Sequence, residues 1–190
     1  MNYLKIDHED VCNGDGLRVV LWVAGCSHGC SECQNPQTWD PKSGILFDKS
    51  ALNEIFEELE KPYISGITLS GGDPLYVQNL DVILDLIYDS KKKFPTKTIW
   101  LYTGFTFDEL KKNYDLYGED TFALKFDDWM DRAEMWITRW DILEQCDVLV
   151  DGPYIKEQRD ITLRWRGSSN QRVIDIQKTL KQGRIVLYCD

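Results

Sequence analysis

The chain has 190 residues, 43% hydrophobic and 28% charged, with a formal net charge of −10 and a pI near 4.7. That is the composition of a globular protein long enough to build a sizeable core. The acidic balance argues against a nucleic-acid groove or an anionic membrane as the main partner, and leaves room for a small zwitterion in a local pocket or a larger protein. The first ten residues, MNYLKIDHED, hold no apolar run of the signal type, and no later run approaches membrane-spanning length. The expectation is a single cytoplasmic domain over residues 1–190, in a compartment where thiols stay reduced.

Asn13-Gly14-Asp15-Gly16 is a turn signal. The run L-R-V-V-L-W-V, 17–23, then reads as a strand buried on both faces. Two residues later begins G-C-S-H-G-C-S-E-C-Q-N-P-Q-T-W, 25–39, which places Cys26, Cys30 and Cys33 in a C-x3-C-x2-C spacing. Three thiols cannot all pair as disulfides, but they can converge on one metal centre. A cubane 4Fe–4S cluster with three protein ligands keeps one iron open for a non-protein ligand. With His28 between the first two cysteines, a Cys3His zinc site is a chemical alternative, and plain burial of small apolar side chains is another. The spacing alone leaves all three open. Cys12 and Cys146 lie in or beside apolar stretches and read as packing residues, and Cys189 reads as a free thiol.

Ser50 reads as the N-cap of a helix with an apolar stripe of Leu52, Ile55, Phe56 and Leu59, ended by Lys61-Pro62. A second strand, 64–70, halts at Gly71-Gly72-Asp73-Pro74, where the plain reading makes Asp73 an N-cap and Pro74 the first helical residue. The next helix, from Leu80, closes in Lys91-Lys92-Lys93, favourable at its negative C-terminal end. A third strand, 98–102, stops at Thr103-Gly104, and a helix starts at Phe107. Residues 114–146 then interrupt the pattern. Their Phe126, Trp129, Met130, Ala133, Trp136, Ile137, Trp140 and Leu143 recur at helical spacing. This predicts an inserted amphipathic helix packed on the body, with Trp136 in the core; a partner-docking face is the alternative. A fourth strand, 147–150, ends at Asp151-Gly152-Pro153, a basic polar segment follows at 164–172, and a last short strand is predicted at 184–188.

Strand and helix alternate as in a parallel sheet with crossover helices. All four strands stop at glycine-bearing loops, at Gly25, Gly71-Gly72, Gly104 and Gly152. Ligands of such folds bind at the C-terminal strand ends. A complete eight-fold barrel takes about 250 residues. The predicted fold is therefore α/β, a partial, open parallel β/α barrel with a helical segment inserted at 114–146.

With the cysteine motif after the first strand and G-G-D-P after the second, the chain resembles the radical S-adenosylmethionine (SAM) enzymes. A narrower resemblance is to the activating proteins of anaerobic (class III) ribonucleoside-triphosphate reductases. It is carried by N-G-D-G-L-R (13–18), the cysteine segment (25–39), T-L-S-G-G-D-P-L (68–75), W-L-Y-T-G-F (100–105), D-V-L-V-D-G-P-Y (147–154) and W-R-G-S-S-N-Q-R-V-I-D (165–175), in the family's order. The resemblance implies a barrel of the radical SAM type, with a 4Fe–4S cluster on Cys26, Cys30 and Cys33 and SAM chelated at the open iron. A one-electron donor such as reduced flavodoxin would drive cleavage of SAM, and the resulting 5′-deoxyadenosyl radical would take a hydrogen from a glycine of the reductase large subunit. It also implies cofactor contacts from Glu32, Cys33 and Gln34, from Gly71, Gly72 and Asp73, and from Tyr102, Thr103 and Asp151. His28 would meet a cluster sulfide, and Arg164 and Arg166 the cofactor carboxylate or the partner. The competing readings are an activase of another glycyl-radical enzyme, a small-molecule enzyme of the 7-carboxy-7-deazaguanine synthase type, and a zinc-stapled binding module.

Overall fold

The computed structural model describes residues 1–118 and 127–189. Along the chain the elements are β1 (Asn2–Asp10), β2 (Leu17–Val23), β3 (Ile45–Leu46), α1 (Lys49–Glu60), β4 (Ile64–Gly71), α2 (Leu80–Lys93), β5 (Thr98–Tyr102), α3 (Phe107–Gly118), α4 (Asp127–Gln145), β6 (Val148–Asp151), β7 (Arg172–Asp175) and α5 (Ile176–Gln182). The strands form one mixed sheet in the order β3-β1-β2-β4-β5-β6-β7. Its centre, β2-β4-β5-β6, is parallel and consists of the four apolar runs read from the sequence. The sheet is open, and its flanks are antiparallel: β1 pairs β2, β3 pairs β1, and β7 pairs β6.

The flanking strands are the part that periodicity did not reveal. β1 carries Lys5, Asp7, His8, Glu9 and Asp10, so it lacks the apolar signature of a strand. It is held instead by its ladder to β2 and by polar contacts on its open face. The Trp22 indole N–H donates to Asp7 Oδ2 at 2.8 Å, and the Lys5 ammonium lies 4.9 Å from the Trp22 ring centre. At the other edge, the predicted strand at 184–188 is only a fragment. It meets β7 through Asp175 N to Val186 O at 2.9 Å and Tyr188 N to Val173 O at 2.8 Å, with one bridge between Ile174 and Leu187. The segment is reached through the left-handed cap of α5, Gly183 at φ 64°.

Two caps differ from expectation. Asp48, not Ser50, caps α1, its carboxylate accepting from Ser50 N at 2.9 Å and Ala51 N at 3.0 Å. Asp73 caps no helix, because a 3-10 turn at Val77–Asn79 intervenes before α2.

The parallel centre is locked from its N-terminal side by Arg18, a cation with no solvent exposure. Its Nε donates to Thr68 Oγ1 at 2.7 Å, Nη1 to Thr98 Oγ1 at 3.0 Å and Asp15 O at 3.1 Å, and Nη2 to Ile67 O at 2.8 Å and Thr98 O at 2.9 Å. One side chain thus joins β2, β4 and β5. Burial pulls the Arg18 guanidinium down to about 10, still cationic at neutral pH. Gly14 belongs to the same device: at φ 136° it passes over the Arg18 side chain, where a Cβ would stand 2.5 Å from Cδ.

Residues 119–126, with Phe126, and the Trp129 side chain lie outside the described residues. Around them, α3 continues to Gly118, so the segment first read as inserted begins inside a regular helix. α4 packs on α2 and α3. Its anchor is Trp140, buried, stacked on Tyr114 at 4.9 Å and tilted against Phe107 at 5.8 Å. Trp136, expected in the core, is only half-buried and leans edge-on against Phe105 at 5.6 Å. Among the described residues, no helix is long and apolar enough to cross a membrane.

Trp140→Ala is expected to destabilise the fold by ~3–5 kcal/mol, the range for a buried aromatic, whereas Trp136→Ala costs distinctly less. Urea unfolding midpoints of the two variants check that order.

Candidate metal and cofactor site

The four parallel strands deliver their C-terminal ends to one cavity of about 420 Å³. Cys26, Cys30 and Cys33 line it, together with Gln34, Gly71, Gly72, Tyr102 and Thr103. Glu32, Asp73 and Asp151, expected at the same site, are not among the lining residues. Each has another engagement. Glu32, held at φ 52°, pairs with the Lys156 ammonium on the surface. Asp151 is buried; it accepts from Phe107 N at 2.8 Å and forms an ion pair with Arg172, which reaches Asp108 at 2.9 Å. Asp151 therefore ties β6, β7 and the start of α3 behind the cavity. The partner anion drives the Arg172 pKa above its ordinary value.

Asp73 is 1% exposed, and its carboxylate is occupied by the protein's own donors. Oδ1 accepts from Leu75 N at 2.8 Å and from Thr103 Oγ1 at 3.0 Å. Oδ2 accepts from Thr103 Oγ1 at 2.8 Å and Gly104 N at 3.2 Å, and meets His28 Nε2 at 2.5 Å. So His28 turns its Nε2 toward Asp73, with its ring edge-on to Phe105 at 4.6 Å. Burial lowers the His28 pKa, but the hydrogen bond and charge of Asp73 outweigh it, leaving a net rise.

The cysteine loop is sewn to its surroundings by backbone bonds. Gly25 N donates to Thr38 O at 2.7 Å, Cys26 N to Trp39 O at 3.2 Å, and Asp73 N to Gly25 O at 2.7 Å. A Cβ on Gly72 would run into the Gly25 carbonyl and approach Thr38 O at 3.0 Å. The requirement for glycine there is thus met by close packing on the cysteine loop itself, independently of any ligand.

The donor set suits a metal cluster. Burial pushes the Cys26 thiol up to about 11, so it keeps its proton at neutral pH until a metal displaces it. Two lining residues also carry unspent polar atoms: the Tyr102 hydroxyl and Arg166 Nε are buried without a hydrogen-bond partner among the described residues. Buried polar groups of this kind ordinarily find partners, so they mark a place for a polar ligand. Burial also raises the Tyr102 pKa, keeping its hydroxyl protonated.

The basic segment 164–172 acquires a definite role. Gln171 Oε1 accepts from Gly167 N at 2.9 Å and Ser168 N at 3.2 Å, while its Nε2 donates to Gly152 O at 3.0 Å. The segment is folded against the end of β6 and presents Trp165 and Arg166 to the cavity. Arg164 is exposed and lies over the Trp165 ring at 4.3 Å. Sequence reasoning missed Cys12, which is exposed and lines the cavity; only the β1–β2 hairpin, hidden by the charged β1, brings it there. Cys146 is buried, as read, and Cys189 packs against the small cluster around Trp100.

A family model described as the 4Fe-4S single cluster domain matches residues 12–174. The anaerobic ribonucleoside-triphosphate reductase-activating protein of Enterobacteria phage T4 is 39% identical over 173 residues, covering 91% of this chain and 93% of the relative. Its namesake from Haemophilus influenzae is 39% identical over 173 residues, with 90% and 96% covered. That from Escherichia coli K12 is 37% identical over 175 residues, with 91% and 97% covered. The chain belongs to the 4Fe-4S single cluster domain family and to the family of anaerobic ribonucleoside-triphosphate reductase-activating proteins. An iron–sulfur cluster therefore replaces zinc as the reading of the cysteine loop.

Gly72→Val is expected to lower iron content and cofactor binding together, because the branched side chain displaces Gly25, at the ~1–3 kcal/mol typical of overpacking. Iron per chain after anaerobic reconstitution checks this.

Proposed function

We propose that this protein activates an anaerobic ribonucleoside-triphosphate reductase by forming a glycyl radical on its large subunit, using a 4Fe–4S cluster and SAM. The observation that carries the reading is one cavity, at the C-terminal ends of four parallel strands, shared by the C-x3-C-x2-C thiols and by the Tyr102 hydroxyl and Arg166 Nε, two atoms without a hydrogen-bond partner among the described residues. Kinship over about nine-tenths of the chain with activating proteins supports it. The open sheet with a parallel centre supports the reading of the fold as a partial barrel of the radical SAM type.

Cys26, Cys30 and Cys33 hold three irons of the cluster. Bound there, the cluster and SAM supply one-electron cleavage of a sulfonium and a carbon radical able to remove a hydrogen atom from glycine. The protein's part is placement and exclusion of water. Gly71 and Gly72 leave the wall beside β4 free of side chains, so a ligand meets backbone there. Cys33 and Gln34 line the cavity and would lie beside the bound cluster. Arg166 Nε donates to an anionic group such as the ligand carboxylate, and Tyr102 offers a neutral hydroxyl. Trp22 and Trp165 give the cavity apolar walls. In a body of net charge −10, the arginines at 159 and 166 supply local positive charge to this cavity. The glycine segment of the partner enters at the same opening, because hydrogen transfer needs contact distance. Reduced flavodoxin, or another one-electron donor, docks where the cluster is reachable.

After anaerobic reconstitution, single Cys26→Ala, Cys30→Ala and Cys33→Ala variants are expected to lose reductive release of methionine from SAM. Cys12→Ala, Cys146→Ala and Cys189→Ala keep the cluster. A Cys146→Ala protein without cluster beside a Cys33→Ala protein that retains it would refute the ligand assignment.

A further inference from the structure

The imidazole of His28 is seated in a slot. One side is the Asp73 carboxylate, 2.5 Å from Nε2, and another is the Phe105 ring, 4.6 Å between centres. The floor is Gly104: a Cβ built there would stand 2.7 Å from His28 Nε2 and overlap the rest of the ring, and the three nearest atoms it would meet all belong to His28. The His28 side chain is 16% exposed, although it sits in a loop leaving the sheet. The slot is assembled from the ends of β4 and β5 and braced from α4. Arg139, 6% exposed, donates from Nε to Leu75 O at 2.9 Å and lies against Phe105 at 4.6 Å and Trp136 at 4.4 Å. The filled slot fixes the midpoint of the loop between Cys26 and Cys30.

Resting on the iron–sulfur reading of this loop, we propose that His28 is a positioning residue. Its seat against Asp73, Gly104 and Phe105 anchors the middle of the cysteine loop, so that Cys26 and Cys30 meet a cluster from a fixed turn. The seat also gives α4 a part in the site, since Arg139 backs Phe105. Releasing His28 therefore loosens the loop and weakens its hold on iron.

The test uses four full-length proteins: wild type, His28→Ala, His28→Gln and Gly104→Ala. Gly104→Ala evicts the imidazole while leaving His28 and Asp73 intact, and glutamine offers Asp73 an N–H near the position of Nε2. In the reduced, cluster-free protein, hydrogen exchange of amides 27–31 is expected to rise about tenfold in His28→Ala and Gly104→Ala, with β4 and β5 unchanged. In anaerobic reconstitution with limiting iron and sulfide, followed by electron paramagnetic resonance of the reduced cluster, both are expected to need about tenfold more iron for half-occupancy. His28→Gln should return both readings toward wild type. Wild-type behaviour in Gly104→Ala, equal deficits in His28→Gln and His28→Ala, or a rise in exchange spread over the whole sheet would overturn the proposal. A wild-type protein that never gains a cluster signal would instead defeat the iron–sulfur reading, and the exchange readings would still decide whether the latch exists.

Discussion

The site depends on one buried carboxylate. Asp73 touches the turn after β4, the end of β5 and the cysteine loop at once, through Leu75, Thr103, Gly104 and His28. Its burial makes these bonds matter. In water each would exchange for a solvent bond at little net change, whereas a buried anion deprived of a partner keeps its desolvation penalty. The C-terminal strand ends and the loop therefore move as one piece. Arg139, whose charge lies near this carboxylate, extends the piece to α4.

The opposite end of the sheet is tied by a cation in the same manner. Arg18 spans β2, β4 and β5 from below, and Asp73 closes the same strands from above. With both ends fixed, the cavity is a property of the sheet rather than of its loops. The cysteine loop is carried on this frame through Asp73 and His28. A site that must place its cofactor to within about half an ångström needs such a supporting shell.

The parallel centre was legible because buried central strands are written as unbroken apolar runs, and each ended at a glycine. β1 and β7 were not, because edge strands carry charge on the exposed face, and their pairing depends on a partner distant in sequence. The cysteine spacing left an iron–sulfur cluster, zinc and plain burial open, and it is the family match that brings in the 4Fe-4S cluster. Asp73 and Asp151 were recognisable as residues of interest from their place at strand ends. Their work lies behind the cavity wall, and no local pattern distinguishes a carboxylate that meets a ligand from one that meets Thr103 or Arg172. Gly104 was read as a turn marker, whereas its missing side chain makes room for His28, a contact between residues 76 positions apart. Tyr102 and Arg166 show the complementary case, where an unpaired buried atom emerges only once its neighbours are placed.

The most direct measurement of the central claim is made on the partner. The reconstituted, reduced protein is mixed anaerobically with SAM and the large subunit of an anaerobic ribonucleoside-triphosphate reductase, and the mixture is examined by electron paramagnetic resonance. The expected result is a carbon-centred radical on the reductase, split by the single remaining α-hydrogen of one glycine and lost when that glycine is replaced by alanine. Release of methionine at an undiminished rate, with no radical on the reductase, would contradict the account.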